Sequence, residues 1–231
     1  MIDIGTRLAD IRSELRALAI KNETQSAVPT IIAVSKKQPI EAVSQALEAG
    51  QQHFGESYLQ DALPKIQALD GRGAKWHFIG PVQSNKCREV ATYFDWVHSV
   101  DRLKIAKRLS SMRDPAMPPL QILLQVNIDA DPDKAGLSVD SINELAKEIA
   151  KLPHLQLRGL MTLLQLNSTL AEQRESFNRM RALIRSTKES IGLDDTFKEL
   201  SMGMSADWKV AAECGSTMLR IGTAIFGHRL D

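Results

Sequence analysis

The stretch from Thr30 to Gly50, TIIAVSKKQPIEAVSQALEAG, contains the unit from which the fold is predicted. Its first part, Thr30–Ser35, is apolar and rich in β-branched residues, as is typical of a buried strand. Pro39–Ala49 follows as a predicted helix, because proline is favoured in the first turn of a helix and Gly50 can end one. The stretch therefore predicts one strand followed by one helix.

The same alternation continues along the chain. Seven further strands are predicted at Gln52–Gly55, Lys75–Gly80, Asp95–Ser99, Leu120–Ile128, Leu155–Leu164, Phe197–Met202 and Met218–Gly222. The first helix predicted between them starts near Ser57. The others cover Asn85–Tyr93, Asp101–Met112, a segment capped by Ser138 or Asp140, Leu170–Ser190 and Ala206–Glu213. The apolar faces of two of these helices are expected to include Val139 and Leu170.

Eight strands separated by helices favour an α/β fold, a single-domain (β/α)8 TIM-like barrel, over an open doubly wound sheet. An amphipathic helix precedes the first strand, and the polar segment Asn22–Pro29 links the two. Little chain remains after the eighth strand for an outer helix, so this N-terminal helix is expected to fill the gap. We expect residues 1–231 to form one domain.

Composition excludes several classes of function. The net charge is +1, with 29 basic and 28 acidic side chains and no basic run, which argues against nucleic-acid binding. No stretch resembles a signal peptide or a membrane span, and Cys87 and Cys214 are far apart in the sequence. We therefore expect a cytoplasmic protein with reduced thiols, no membrane partner and a monomeric state.

Functional residues of such a barrel lie at the carboxyl ends of the strands. Lys36 and Lys37 follow the first strand. Strand alternation does not choose between them, because each continues a face of the strand that is mostly apolar. A solvated lysine is the simpler reading of either position. A lysine amine is also the group that holds an aldehyde cofactor as a Schiff base.

Two loops rich in small residues are expected to follow strands seven and eight, where barrels commonly bind phosphate. They are Ser201–Ser205 and Gly222–Ala224, and their glycines allow the backbone to approach an anion closely. The hydroxyls of Ser201 and Thr223 add donors. Ordinary turns would explain each loop singly, but a lysine and two such loops at one end of a barrel together indicate pyridoxal 5'-phosphate (PLP).

Arg220 is a charged residue inside an apolar strand, and two interpretations follow. It can face the pyridine nitrogen of PLP, which would oppose protonation of the ring and weaken it as an electron sink. Alternatively, it forms a salt bridge with an acid of the neighbouring strand such as Glu199. Three histidines, His53, His77 and His98, lie on successive strands, where zinc binding or hydrogen bonding would account for them.

The motifs together resemble the pyridoxal phosphate homeostasis protein family, which has the alanine racemase N-terminal barrel fold. The resemblance runs from Ile31 to Gly227 and rests on AVSK at 33–36, HFGE at 53–56, WHFIG at 76–80 with QSNK at 83–86, HSVD at 98–101, KAG at 134–136, GLMT at 159–162, LSMGMS at 200–205 and RIGTAIFG at 220–227. Ser57 stands where the family usually has asparagine, and Gly80-Pro81-Val82-Gln83 varies a common Gly-His-Leu-Gln.

The resemblance implies that Lys36 is the Schiff-base lysine and that Arg220 faces the pyridine nitrogen. It implies that Ser201, Gly222 and Thr223 hold the phosphate, and we expect Gly203, Met161 and His77 to belong to the same cofactor site. It also suggests a secondary role for Lys134 in handling PLP. Such proteins bind, buffer or deliver PLP, with apo forms of PLP enzymes as candidate recipients, and no turnover is expected.

The alternative is a PLP-dependent amino-acid racemase. Two-base racemisation needs an acid or base on each face of the substrate. In the two-domain racemases a tyrosine from a second domain supplies one of them, and Tyr58 and Tyr93, the only tyrosines here, are both predicted on outer helices. The sequence therefore favours the non-enzymatic reading.

Overall fold

The computed structural model describes residues 3–21, 28–165 and 167–227, so most of the predicted Asn22–Pro29 linker lies outside the described residues. The strands are β1 (Thr30–Val34), β2 (His53–Glu56), β3 (Lys75–Phe78), β4 (Trp96–Val100), β5 (Leu120–Val126), β6 (Leu155–Thr162), β7 (Glu199–Met204) and β8 (Met218–Ile221). The helices are α1 (Ile4–Lys21), α2 (Ile40–Glu48), α3 (Leu59–Ala68), α4 (Cys87–Tyr93), α5 (Leu103–Met112), α6 (Ile142–Ala150), α7 (Leu170–Ile191), α8 (Trp208–Glu213) and α9 (Thr223–Phe226). Short 3₁₀ turns precede α4 and α6.

The eight strands form a closed parallel barrel in sequence order, which confirms the predicted (β/α)8 architecture. Closure comes from β1 and β8, where Ile32 is in register with Arg220 and Ala33 with Ile221. An open doubly wound sheet would leave its two edge strands unpaired, so that alternative is wrong.

The apolar core has two layers because side chains alternate across each strand. Most buried apolar residues pack between the barrel and the helices, among them Phe54 and Phe177. A smaller cluster fills the inside of the barrel, which we call the lumen: Ile32, Leu123, Met161 and Met218, with Trp96 packed against them. The lumen is thus a packed core at this level.

Helix α1 fills the gap in the outer ring, as predicted. It contacts α2, α8 and α9, and side chains tie it to both flanks. Arg7 donates to the carbonyl of Ile225 at 3.2 Å, and Arg12 donates to that of Ala49 at 2.9 Å. Across the part of the chain that the structure describes, no helix combines the length and apolarity needed to cross a bilayer.

Three expectations about local structure are wrong. Leu170 is 71% exposed, because Thr169 caps α7 and Leu170 is its first residue, turned away from the barrel. Val139 is exposed in a 3₁₀ turn that precedes α6. Strand β7 extends to Met204, so residues 201–204, which were expected to belong to a phosphate-binding loop, lie within the strand.

Glycine at position 203 allows this longer strand. Gly203 has φ of 93°, and a Cβ there would lie 2.5 Å from the Cβ of Ala211 in α8. Any larger residue would push α8 away from the sheet and strain the backbone. The first reason for Gly203 is therefore helix packing, and its expected contact with the cofactor stays a prediction.

Candidate functional site

Lys36 lies in a tight turn at the carboxyl end of β1. The amide of Ser35 donates to Gly55 of β2 at 3.0 Å, and Gln38 donates back to the carbonyl of Ser35 at 3.0 Å. Lys37 has a left-handed φ of 62°, and its amide donates to Asp61 of α3. Lys36 lies two residues beyond the end of β1, in the turn itself and directly before Lys37. The choice of Lys36 over Lys37 as the lysine of the site stays a prediction.

A buried ion cluster holds this turn from the outside. Nζ of Lys65 lies 2.9 Å from Glu56, 2.9 Å from Asp61 and 2.8 Å from the carbonyl of Ser35. The hydroxyl of Ser35 donates to the same Glu56 oxygen at 2.7 Å. Burial raises the pKa of Glu56, and the nearby Lys65 and Ser35 oppose that rise. Ser35 is thus fixed by buried polar contacts, and Lys37 is held by an exposed one.

The sequence patterns described above do not predict this cluster. A signal for it exists, because Leu59, Ala62 and Lys65 are spaced three residues apart on the buried stripe of α3. A lysine on an apolar stripe needs a buried partner, and Glu56 at the end of an apolar strand is an acid in a comparable position.

Arg220 lies in the lumen and is only 3% exposed. Its guanidinium donates to the hydroxyl of Ser201 at 2.6 Å and to the carbonyl of Thr162 at 2.8 Å. Burial lowers the pKa of Arg220 to about 10, and the charge of Asp207 opposes this effect. The side chain stays a cation at neutral pH and presents a positive charge to the barrel interior.

The alternative salt bridge between Arg220 and Glu199 is wrong. Glu199 begins β7, at the other end of the barrel, and its carboxylate accepts from Arg158 at 3.5 Å and from Thr217 at 2.7 Å. Arg220 is in register with Met204, near the carboxyl end of β7. The position along the strand therefore separates the two charges.

The three histidines form a line of hydrogen bonds across the lumen. Nδ1 of His53 lies 2.9 Å from Nε2 of His77, and Nδ1 of His77 lies 2.8 Å from Nε2 of His98. Nδ1 of His98 lies 2.8 Å from the hydroxyl of Ser201. We call these three residues the histidine line. It leads from the start of β2 to the Ser201–Arg220 pair.

A zinc site at these histidines does not fit the geometry. A metal needs ligand atoms that converge on one point, whereas each ring nitrogen here contacts the next ring. Within residues 3–21, 28–165 and 167–227, no group of three or more His, Cys, Asp or Glu side chains is arranged to hold a metal.

The loops at the carboxyl ends of β7 and β8 meet beside β1. The amide of Gly222 donates to the hydroxyl of Ser205 at 3.1 Å, and Thr223 is exposed at the start of α9. A Cβ on Gly222 would lie 3.3 Å from the carbonyl of Val34, two residues before Lys36. Lys36, Ser205, Gly222 and Thr223 are thus brought to one end of the barrel.

Ser201 lies deeper than the sequence suggested. Its side chain is buried, and its hydroxyl already contacts Arg220 and His98. Ser205, four residues on, occupies the loop position expected of Ser201. The extended β7 explains the difference, and a phosphate contact of Ser201 itself stays a prediction.

The remaining site candidates lie at two depths. Met161 is buried among the apolar residues of the lumen, and His77 is buried in the histidine line. Lys134 lies in the loop after β5, where its Nζ donates to the carbonyl of Leu163 at 3.2 Å and lies 4.0 Å from Asp131. Leu163 directly follows β6, so Lys134 reaches the same end of the barrel as Lys36.

Comparisons with known proteins agree with the fold and the motifs. The sequence profile of the family described as alanine racemase, N-terminal domain, matches residues 7–230. The pyridoxal phosphate homeostasis protein of Escherichia coli K12 is 44% identical over 232 residues, which cover 99% of this chain and 98% of that protein.

Solved structures show the same similarity. PipY of Synechococcus elongatus, solved without PLP, has a TM-score of 0.87 and 36% identity and covers 97% of this chain and 100% of that one. The same protein with PLP bound has a TM-score of 0.86. Alanine racemase of Corynebacterium glutamicum, at 14% identity and a TM-score of 0.65 over 62% of its length, shares the fold. The chain belongs to the alanine racemase N-terminal domain family and, within it, to the pyridoxal phosphate homeostasis proteins.

Proposed function

We propose that this protein binds PLP at the carboxyl end of the barrel, with Lys36 as a reversible covalent anchor, and acts as an intracellular carrier or buffer of PLP. The observation that carries the proposal is the close approach of the two elements a PLP site requires. Gly222 of the small-residue loop packs against Val34, immediately before the turn that bears Lys36. The name of the Escherichia coli relative and the PLP bound to PipY support the choice of cofactor.

The residues present fit PLP in both charge and chemistry. The phosphate is placed at Ser205, Gly222 and Thr223, where hydroxyl and amide groups can donate to an anion. Arg220 would supply a buried positive charge to the bound cofactor, and Met161 an apolar surface. When bound, PLP supplies an aldehyde that condenses with an amine. Lys134 at the rim is proposed to contact PLP through its charge as PLP enters or leaves, without a lasting covalent bond.

Thr223→Ala and Ser205→Ala are each expected to weaken PLP binding about tenfold or more. Hydrogen bonds to a charged group contribute about 1.5–3 kcal/mol, and about 1.4 kcal/mol corresponds to a factor of ten. Equilibrium dialysis of each variant measures the effect. Pyridoxal, which lacks the phosphate, is the control ligand, and its weaker affinity should not change. A variant that loses affinity for pyridoxal and PLP equally would remove that residue from the phosphate site.

A carrier and a racemase differ in what they do to a bound amino acid. Tyr58 lies just before α3 and Tyr93 lies on α4, both on the outside of the barrel and both exposed. We expect no steady-state racemisation over a panel of amino acids, and slow deuterium uptake at the α-carbon. Exchange as fast as in a working racemase would favour the enzyme instead.

The proposed carrier role is tested by transfer of PLP. Loaded protein is mixed with an apo form of a PLP enzyme in the presence of a trap that removes free PLP. Activation of the enzyme despite the trap is the result expected of direct delivery. Activation that the trap abolishes would instead indicate a buffer that releases PLP into solution.

A further inference from the structure

The hydrogen bonds of the histidine line form a continuous path through the barrel. The path starts at Arg220, passes through the hydroxyl of Ser201 at 2.6 Å, and continues through three histidines with contacts of 2.8–2.9 Å. His77 and His98 are fully buried, whereas His53 is partly exposed and lines a surface depression beside Arg12 and Gln51. The path therefore joins the Arg220 end of the lumen to the amino-terminal surface.

When the hydroxyl of Ser201 donates to His98, all donors along this path point in one direction. Arg220 can only donate, so the oxygen of Ser201 accepts from it and keeps its own proton for a second partner. Among the described residues that second partner is Nδ1 of His98. His98 then carries its proton on Nε2 and donates to His77, and His77 donates in the same way to His53. We call this the outward arrangement.

The reverse direction is equally compatible with the same heavy-atom positions. If Ser201 donates to another acceptor, Nδ1 of His98 must carry a proton and donate to the oxygen of Ser201. Otherwise the buried lone pair of His98 Nδ1 has no donor to accept from. Such an unsatisfied group costs about 1–3 kcal/mol. Each of the three histidines then changes tautomer, and His53 ends with an unprotonated Nε2. We call this the inward arrangement.

We propose that Ser201 and the histidine line form a reversible proton wire between the Arg220 end of the lumen and solvent at the amino-terminal end of the barrel. The wire lets the hydroxyl of Ser201 turn toward a ligand acceptor beside Arg220 without leaving a buried polar atom unpaired. The ligand part of this role rests on the proposed binding of PLP. The histidines are positioning residues, because they act on the site through Ser201.

The proton transfer balances at every step. From the inward arrangement, a solvent proton adds to Nε2 of His53, and the Nδ1 proton of His53 passes to Nε2 of His77. The Nδ1 proton of His77 passes to Nε2 of His98, and that of His98 passes to the oxygen of Ser201. The original hydroxyl proton of Ser201 leaves to the ligand. One proton enters, one leaves, and the outward arrangement results.

The surroundings of the wire favour neutral rings. Burial lowers the pKa of all three histidines, most for His77 and His98, and the charge of Arg220 adds to the effect at His98. His77 is also stacked on Trp96, with ring centroids 5.5 Å apart and an interplanar angle of 12°, which fixes its ring plane. Neutral rings held in fixed planes can exchange tautomers without reorientation.

The charged groups near His53 act in opposite directions on its pKa. Asp95, before β4, raises it, and Lys75, at the start of β3, lowers it. Arg12 and Arg16 of α1 line the same depression and add positive charge. Since His53 is the exposed end of the wire, it is the member that takes up a proton as the pH falls.

The first test uses ring ¹⁵N NMR of the protein without PLP, over a pH titration. Protonation of His53 places a proton on its Nδ1, which then faces the Nε2 proton of His77. His77 and His98 must therefore both change tautomer. We expect this change at the pH midpoint of the His53 titration. In His53→Gln, these changes should disappear, and in the control His154→Gln they should remain. Titration of His53 with no change at His77 and His98 would overturn the proposal. Thermal melting checks that each variant is folded.

The second test adds PLP at a pH where His53 is neutral. PLP is expected to convert His98 and His77 from Nε2-protonated to Nδ1-protonated tautomers, with His154 unchanged. Binding is measured independently by borohydride reduction and mapping of the Lys36 peptide. Bound PLP with unchanged tautomers would contradict the coupling of wire and ligand. Absence of any bound PLP would contradict the proposed function, and the pH titration would still decide whether the wire exists.

Discussion

Lys36→Ala is expected to abolish the covalent retention of PLP. Borohydride reduction of loaded wild-type protein should fix PLP to a single peptide, residues around Lys36, because only an amine in the site can condense with the aldehyde. In the variant, labelling at this peptide is necessarily lost, and the informative measurement is the total label on the protein. We expect the total label to fall to background.

Lys37→Ala is the matched control for this prediction. Lys37 occupies the same turn, but its backbone is left-handed and its amide is held by Asp61 outside the barrel. Its replacement removes an equal charge from the same loop and should leave labelling of Lys36 intact. Undiminished total label in Lys36→Ala, or loss of label in Lys37→Ala alone, would show that the anchor is a different lysine.

Lys65→Met is expected to destabilise the protein by about 3–5 kcal/mol, because it leaves Glu56 as a buried, uncompensated charge. Urea unfolding measures this change as a lower midpoint. The double variant Glu56→Gln/Lys65→Met should recover much of the loss, since it removes both charges. Lys151→Met breaks a Lys–Glu contact of 2.6 Å on the exposed surface and should cause no measurable change.

The pH dependence of the Lys65→Met variant follows from the pKa of Glu56. Burial raises that pKa in the folded protein, and loss of Lys65 removes a group that opposes the rise. The folded variant therefore holds the Glu56 proton more tightly than the unfolded chain does, so its stability falls as pH rises. The deficit relative to wild type should shrink as pH is lowered toward the ordinary carboxyl range near about 4.3. A deficit that is constant with pH would argue against a buried charge as its cause.

The same variant also tests what the ion cluster does for the site. Lys65 and Glu56 hold the carbonyl and the hydroxyl of Ser35, directly before Lys36. Folded Lys65→Met protein, measured well below its unfolding midpoint, is expected to bind PLP more weakly. The double variant is not expected to restore binding fully, because neither Met nor Gln replaces the contact of Lys65 with the Ser35 carbonyl. Restored stability with unrestored binding would separate the two roles.

Local sequence determined the architecture and the position of two lysines, Lys36 and Lys37, just after the first strand. Apolar β-branched segments alternate with amphipathic ones, and eight such repeats leave few arrangements other than a barrel. The placement of Lys36 and the small-residue loops at one end follows from the same pattern, because all carboxyl ends of parallel strands in a barrel lie on one face. These features depend on residues close to one another in the chain.

The interior of the barrel was decided only by tertiary structure. Strand β7 runs to Met204, so Ser201, expected in a loop, lies in the lumen, and Ser205 lies at the rim. Barrel closure and register then joined Ser201 to His98, 103 residues earlier, and Arg220 to Thr162, 58 residues earlier. The contact between Lys65 and Glu56 likewise depends on the packing of α3 against β2. A buried polar side chain needs a hydrogen-bond partner within about 3 Å. Which residue lies that close is set by the tertiary fold, and spacing along the sequence does not predict it.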